Sequence, residues 1–458
     1  MEKINFTGLC ESRDELVRLI EEKNYSKFIA EVTRYPAPDI AELFGEFPEK
    51  YRARFFRLLP KDIASELFVL MDADEREGMI YSFSDHELAD MLAELYLDDT
   101  VDIIEEMPAS VVKRIIKNST PENRGLINIL LNYPKDSAGT IMTTEYVRFT
   151  GDMTVEAAIG HIRRVAIDKE TIYTCYVTDE KRRLLGIVTV KDMLISPLET
   201  RLSDIMESDV IFALTEEDRE SVAAKFEKYG FLALPVVDGE QRLVGIVTVD
   251  DAIDVMKEEV EEDFAKMAAI TPAEKPYLRT SVFGVFKSRI PWLLLLMISA
   301  TLSSTILNRF EAALPAVLIL FVPMLMDTGG NSGSQASVTL IRTISLGEVQ
   351  FSDFFRVLRR EAVIGLLCGG ALGIVAFAKV MLVDRLIMGN PEVTLFVAMI
   401  VAFALFFTVF MAKIVGCSLP LLAKRVGFDP AVMASPLITT VVDALSLAVY
   451  FLIASTLL

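Results

Sequence analysis

The sequence is poor in residues that make staples, bases and polyanion contacts. Its four cysteines, Cys10, Cys175, Cys368 and Cys417, lie far apart with no pairwise metal spacing. They read as reduced thiols, not as disulfides or zinc ligands. There are two histidines, His86 and His161, both in the first half. No imidazole is therefore at hand to activate a nucleophile in the second half. No Gly-x-x-x-x-Gly-Lys-Ser/Thr loop is present, which argues against an ATPase. Basic residues are scarce early on: the first 283 residues hold 34 Lys/Arg against 56 Asp/Glu, a net of −22. Nucleic-acid binding needs a basic face and is excluded. From Gly284 onward the balance is 12 against 9, a net of +3. The start, Met1 to Asn5, lacks the apolar core of a signal peptide, so the acidic part is expected to stay in the cytoplasm. A dense acidic surface is either simply solvated or collects divalent cations.

Residues 40–133 repeat a short phrase, an apolar residue followed by Pro, Asp or Ser and then a charged helical run. It recurs at Phe47, Leu59, Met71, Phe83, Tyr96, Met107 and Ser119, in steps of 11 to 13 residues. Each unit predicts one helix of about ten residues, started by a capping or first-turn residue such as Pro48, Asp72, Ser84 or Pro108. Ser84 with Glu87 has the form of a capping box. Short helices at constant period cannot bury a core singly and are expected to stack as an α-solenoid.

Residues 137–256 hold a longer duplication. One copy runs from Ile141-Met142 to Gly186-Ile187-Val188-Thr189-Val190-Lys191-Asp192, the other from Ile205-Met206 to Gly245-Ile246-Val247-Thr248-Val249-Asp250-Asp251. Each predicts a helix, a strand (Thr174–Thr178; Ala233–Val237), a turn, a second strand and an Asp at a helix start. The duplicated Gly-apolar-x-Thr-x-x-Asp resembles a tandem pair of CBS domains, regulatory modules that often bind adenine nucleotides. By that resemblance Thr189, Asp192, Thr248 and Asp251 are nucleotide-site candidates and ATP the candidate ligand. The competing reading makes them helix caps only.

Residues 252–271 form a charged helix carrying Asp254, Glu258, Glu259, Glu261, Glu262 and Asp263, ended by Pro272 and Pro276. Apolar segments follow at roughly 290–308, 313–341, 361–383, 393–420 and 431–457, each long enough to cross a bilayer, which takes about 20 residues. Lys287, Arg289, Arg342, Arg356, Arg359, Arg360, Lys424 and Arg425 cluster at the inner ends, as the positive-inside rule requires.

Two of these segments carry chemistry. The second contains Asp327-Thr328-Gly329-Gly330-Asn331-Ser332-Gly333-Ser334-Gln335, expected to interrupt the helix where protein or water covers the backbone. The alternative is close packing by small residues. Asp327, Asn331 and Gln335 share one helical face and are pore candidates. The last segment places Ser435, Thr439, Asp443 and Ser446 on one polar stripe. An aspartate at a membrane helix centre costs roughly 2.5–3.5 kcal/mol, so Asp443 is a functional candidate.

With the acidic helical start, Tyr133-Pro134-Lys135-Asp136-Ser137-Ala138-Gly139 before the CBS pair, Thr328 to Gln335, and Asp429-Pro430-Ala431 to Asp443, nearly the whole chain resembles the MgtE family of magnesium transporters and channels. The resemblance implies a multidomain protein: an α-helical superhelical N-domain (1–133), tandem α+β CBS domains (134–252), a connecting helix and linker (253–283) and a five-helix α transmembrane domain (284–458). It implies a homodimer in the inner membrane with cytoplasmic N-terminal domains, in which Asp443 of both subunits holds hydrated Mg²⁺ on the two-fold axis. It also implies feedback, with cytoplasmic Mg²⁺ closing the pore by bridging Glu66, Asp98 and Asp102, Asp218 and Glu220, Asp250, Asp251, Asp254, Glu259, Glu262 and Asp263, and Asp429. Mg²⁺ is thus both substrate and regulator. The chain departs from the family at Gly230, where some members carry an acid, and at Ser435, where some place Asn.

Rival readings are an intramembrane protease and a CBS-regulated transporter of another divalent cation. Gly330-Asn331-Ser332-Gly333 fits a serine nucleophile loop, but the serine lacks a histidine base. Asp327 with Asp443 would make an aspartyl pair, but Val441-Val442 precede Asp443 where that class has Gly-x-Gly.

Overall fold

The computed structural model describes residues 6–272, 277, 280–311, 315–433 and 435–457; Pro276 lies outside them, as do the side chains of Cys10 and Ser435. The chain divides into two units, Met1–Met256 and Lys257–Leu458.

In the first unit the twelve-residue step has a simple origin. Ten-residue helices, such as Glu49–Leu58, Lys61–Leu70, Ala73–Ser82 and Asp85–Glu94, alternate with two extended residues, one packed inward and one at the N-cap. The inward residues Phe47, Leu59, Met71, Phe83 and Met107 are buried. In the fifth unit that residue is Leu95, the C-cap, while Tyr96 is the next N-cap. The repeat therefore falls at Leu95, one residue before Tyr96, and the step is twelve throughout. Pro48 and Pro108 sit at the N-cap itself. Ser84 and Glu87 form the reciprocal capping box, with Oγ of Ser84 accepting from the Glu87 amide at 3.2 Å and the Glu87 carboxylate from the Ser84 amide at 2.8 Å. Alternate helices pack together: Lys61–Leu70 against Asp85–Glu94, Asp85–Glu94 against Ala109–Asn118, and Leu97–Glu106 against Pro121–Leu130. The stack joins one core, seeded by edge-on rings of Phe28, Phe44 and Phe47 around Phe55.

Each copy of the duplication is a three-stranded sheet. β1 (Arg148–Thr150) runs parallel to β2 (Thr174–Thr178), which pairs antiparallel with β3 (Leu184–Thr189). β4 (Ala213–Leu214), β5 (Ala233–Val237) and β6 (Leu243–Thr248) repeat this order. The copies interlock, because Thr143 bridges to Ile246 of β6 and Glu207 to Ile187 of β3. This explains the motif glycines. A β-carbon on Gly186 would stand 2.8 Å from the Glu207 carbonyl, and one on Gly245 2.8 Å from that of Thr143.

The charged helix is observed as Val249–Met267, starting in the first unit and ending in the second. The second unit contains the long helices Val282–Glu311, Val322–Ser345, Phe354–Lys379, Leu395–Val426 and Ser435–Leu457. The third continues as a π-helical stretch, Val380–Ile387. Among the described residues, four spans are long and apolar enough to cross a membrane: Val282–Arg309, Phe351–Ile387, Leu395–Val426 and Pro430–Leu457. Val322–Ser345 falls short of that measure because of its polar residues, and the preceding apolar stretch forms the separate short helix Ala316–Ile319.

Candidate functional site

The expected break in the second segment is absent: Val322–Ser345 is helical from end to end. Its glycines serve close packing instead. A β-carbon on Gly329 would lie 2.7 Å from both Ser446 Oγ and Thr408 Cγ2, and one on Gly333 would meet Ile438 Cγ2 at 2.9 Å. Unwinding would forfeit these contacts and leave backbone groups unpaired, so the helix persists. The polar residues divide by face. Gly329, Gly330, Ser332 and Gly333 are buried, whereas Asp327, Asn331 and Gln335, one turn apart, are exposed.

On the facing helix Ser435–Leu457, the stripe also divides. Ser446 is buried, gives its hydroxyl hydrogen to the Val442 carbonyl at 2.7 Å and packs on Gly329, so it does not share the environment of Asp443. Thr439 and Asp443 stay half-buried opposite Gly330, whose β-carbon would sit 3.1 Å from Thr439 Cγ2 and 3.6 Å from Asp443 Oδ1. Asp327 lies within electrostatic reach of Asp443. Lys413, which the sequence reading passed over inside an apolar run, is buried and places Nζ 3.4 Å from Oε1 of Gln335. Ser332 is held on the helix, and its hydroxyl has no partner among the described residues. His86 lies beside Asp90 and His161 edge-on to Phe149, both in the first unit.

The first unit gathers a second constellation. Asp98 and Asp99 on Leu97–Glu106 come within electrostatic reach of Asp251 at the start of the charged helix and of Glu145 and Glu170 from the first copy of the duplication, Asp99 also of Asp250, and Asp102 of Asp251. Burial, then repulsion among these groups, pushes Asp99 and Asp251 up to about 6 and Asp102 and Glu170 up to about 7; Asp98 is held well above its usual range. Asp98 Oδ1 is buried with no hydrogen-bond partner among the described residues. Arg76 approaches the group, donating to the Met71 carbonyl and pairing with Glu106 at 3.2 Å. Asp99, Glu145, Glu170 and Arg76 were not foreseen, since distant segments supply them.

No three described His, Cys, Asp or Glu side chains form a ready-made cage for a bare metal. An ion that keeps its water shell, as Mg²⁺ does, would need only outer-sphere contact, which tolerates wider spacing. Other sensor candidates lie apart from this group. Glu66 is exposed on Lys61–Leu70, and Asp218 caps Arg219–Tyr229 by accepting from the amides of Glu220 and Ser221, with Glu220 exposed in the first turn. Asp254 is exposed on the charged helix, and Glu259 is half-buried.

At the far end of that helix, within the second unit, Lys266 Nζ lies 2.5 Å from Glu262 and 2.6 Å from Asp429 Oδ2. Burial alone would lower the lysine pKa, but hydrogen bonds to Asp429 and Glu262 outweigh it and raise it. Asp263 accepts from the Ser345 hydroxyl at 3.2 Å; burial raises its pKa against that bond. Met267 packs on Ile341 and Ala431 alongside.

Thr189 and Asp192 cap each other: the Asp192 amide donates to Thr189 Oγ1 at 3.1 Å and the Thr189 amide to Asp192 Oδ2 at 3.2 Å. Thr248 gives its hydroxyl hydrogen to Asp251 at 2.5 Å. A cavity of about 70 Å³ lies between the copies, lined by Thr174, Ile187, Asp209, Ile211, Phe231 and Pro235.

Comparison with known proteins agrees along the chain. Residues 322–453 match the MgtE divalent cation transporter family, residues 35–136 the MgtE intracellular N domain, and residues 138–198 and 202–258 the CBS domain. The magnesium transporter MgtE of Thermus thermophilus is 36% identical over 426 residues, 92% of each chain. That of Bacillus subtilis is 31% identical over 435 residues, 94% of each. A crystal structure of the cytosolic domain of the Mg²⁺ channel MgtE in complex with ATP aligns at TM-score 0.50 and 36% identity, over 52% of this chain and 98% of that one. The soluble part of a magnesium transporter aligns at TM-score 0.51 and 30% identity, over 55% and 99%.

Proposed function

The chain belongs to the MgtE family, and from that premise we propose that it moves Mg²⁺ through a path bordered by Asp443 and closes that path when cytoplasmic Mg²⁺ is plentiful. It is a multi-pass membrane magnesium transporter with a soluble N-terminal part, and not an enzyme. The observation that carries the site assignment is the placement of Asp443 and Thr439 against Gly330, beside the exposed Asp327, Asn331 and Gln335.

A polar stripe of this kind is too costly to face lipid. It supports a homodimer in which two copies turn these faces toward a shared, water-filled axis. There Asp443 attracts the cation while its water shell persists, and the amides of Asn331 and Gln335 and the hydroxyl of Thr439 hydrogen-bond to that shell. An inward-negative potential of about 100 mV supplies roughly 4.6 kcal/mol to a divalent ion, so no ATP hydrolysis is needed.

For regulation, the half-buried carboxylates of Asp98, Asp99, Asp251, Glu145 and Glu170, with the more exposed Asp102 and Asp250, repel one another unless a divalent ion or protons intervene. Mg²⁺ holds the N-domain (1–133) to the CBS pair (134–252). The connecting segment (253–283) passes this state to the transmembrane domain (284–458), with Glu262, Asp263 and Asp429 at its end. The Thr–Asp turns at 189–192 and 248–251 support ATP as a ligand of the CBS pair. Transport is tested by Mg²⁺ influx into liposomes under an imposed potential, with Mn²⁺, Co²⁺ and Ca²⁺ as competing cargo. Regulation is tested by limited proteolysis of the full chain with and without millimolar Mg²⁺. Protection by Mg²⁺ of the junction near residue 134 is expected, and its absence would remove the sensor assignment.

A further inference from the structure

We propose that Lys266 is a tethered cation that occupies the Glu262–Asp429 carboxylate pair and must be displaced before a divalent ion can use it. The proposal rests on the regulatory reading above and adds an intramolecular competitor to it. Asp429 has committed one oxygen already: Oδ1 accepts from the Ala431 amide at 2.8 Å, fixing the turn Pro430–Met433 that leads into the last helix. Its other oxygen, Oδ2, receives Lys266 Nζ at 2.6 Å. The same ammonium lies 2.5 Å from Glu262 Oε1, so one cation spans both carboxylates. A hydrated ion seeking Asp429 must therefore contest Oδ2 with the lysine.

The local charge balance sets the direction of the contest. Glu262, Asp263 and Asp429 bring three negative charges; Lys266 in place leaves −2, whereas a divalent ion in its stead leaves −1. The lysine alone tethers the connecting helix but leaves repulsion behind. A divalent ion relieves that repulsion while freeing Lys266 toward solvent, to which its side chain is 25% exposed. Packing of Met267 on Ile341 and Ala431 keeps the helix end in place during the exchange. Lys266 thus raises the Mg²⁺ concentration at which the helix end is clamped, and holds a weaker tether when Mg²⁺ is scarce.

The test is hydrogen–deuterium exchange on the full-length protein in lipid nanodiscs, titrated with Mg²⁺, comparing wild type, Lys266→Met and Lys266→Arg. In chelator, Lys266→Met should exchange faster than wild type over residues 262–267 and 429–433. Mg²⁺ should restore its protection at a concentration about two- to fivefold lower than wild type needs, the range set by a partly exposed ion pair. Lys266→Arg should behave as wild type. Unchanged exchange of Lys266→Met in chelator overturns the tether. Faster exchange that Mg²⁺ restores only at the wild-type concentration, or not at all, overturns the competition. The same data report on Leu97–Glu106: no Mg²⁺ response there in wild type would instead overturn the sensor reading, independently of Lys266.

Discussion

Gly416 and Gly333 meet backbone against backbone, with no room for a β-carbon on Gly416 beside the carbonyl of Gly333. This contact seats Leu395–Val426 against the helix that bears the candidate pore face. Gly416→Ala forces the helices apart and should cost about 1–3 kcal/mol, the usual price of overpacking. Gly370→Ala, which meets nothing within 4 Å, should leave stability level or slightly raised, since alanine favours helix. Thermal unfolding of detergent-solubilised protein separates the two.

The acid constellation fixes a pH dependence. Asp99, Asp102, Asp251 and Glu170 have folded pKa values of about 6 to 7, above their ordinary values near 4. The folded state therefore binds more protons than the unfolded one, and stability falls as pH rises from about 4 through about 7. In chelator, exchange protection of Leu97–Glu106 should weaken across that window, and Asp102→Asn should flatten the slope. Millimolar Mg²⁺ should replace the protons and restore protection at neutral pH. A slope of opposite sign would contradict the burial of these groups.

The reciprocal cap at Thr189 and Asp192 makes a prediction independent of nucleotide. Thr189→Ala should cost about 1 kcal/mol by loss of the cap, measured by denaturant unfolding of the full chain without ATP. Calorimetric titration of wild type and variant with ATP then reports binding separately. Unchanged stability together with lost ATP binding would assign the threonine to the nucleotide alone.

Much of this was legible in the sequence because it repeats or is periodic. The twelve-residue step marked the helices, although Leu95 and Tyr96, adjacent and both large, hid its exact phase. The paired Gly-Ile-Val-Thr marked the interlocked sheets, and apolar length marked the membrane helices. The glycine-rich stretch was ambiguous, since small residues permit both unwinding and close packing; the one-turn spacing of Asp327, Asn331 and Gln335 was the sign of an intact helix. Glu145, Glu170, Arg76, Lys266 and Lys413 carried no such mark. Each meets its partners through folding, and nothing in local spacing announces a contact such as Lys266 with Asp429, 163 residues apart.

Asp443 is the central residue of the proposed ion path. In potential-driven liposomes, Asp443→Ala should reduce Mg²⁺ influx by about tenfold or more, a barrier increase of about 1.4 kcal/mol or greater. The size-matched Asp443→Asn should also lose flux, since the charge attracts the hydrated ion. Circular dichroism and elution volume should match wild type for both. Undiminished influx through folded Asp443→Ala would place the ion path elsewhere.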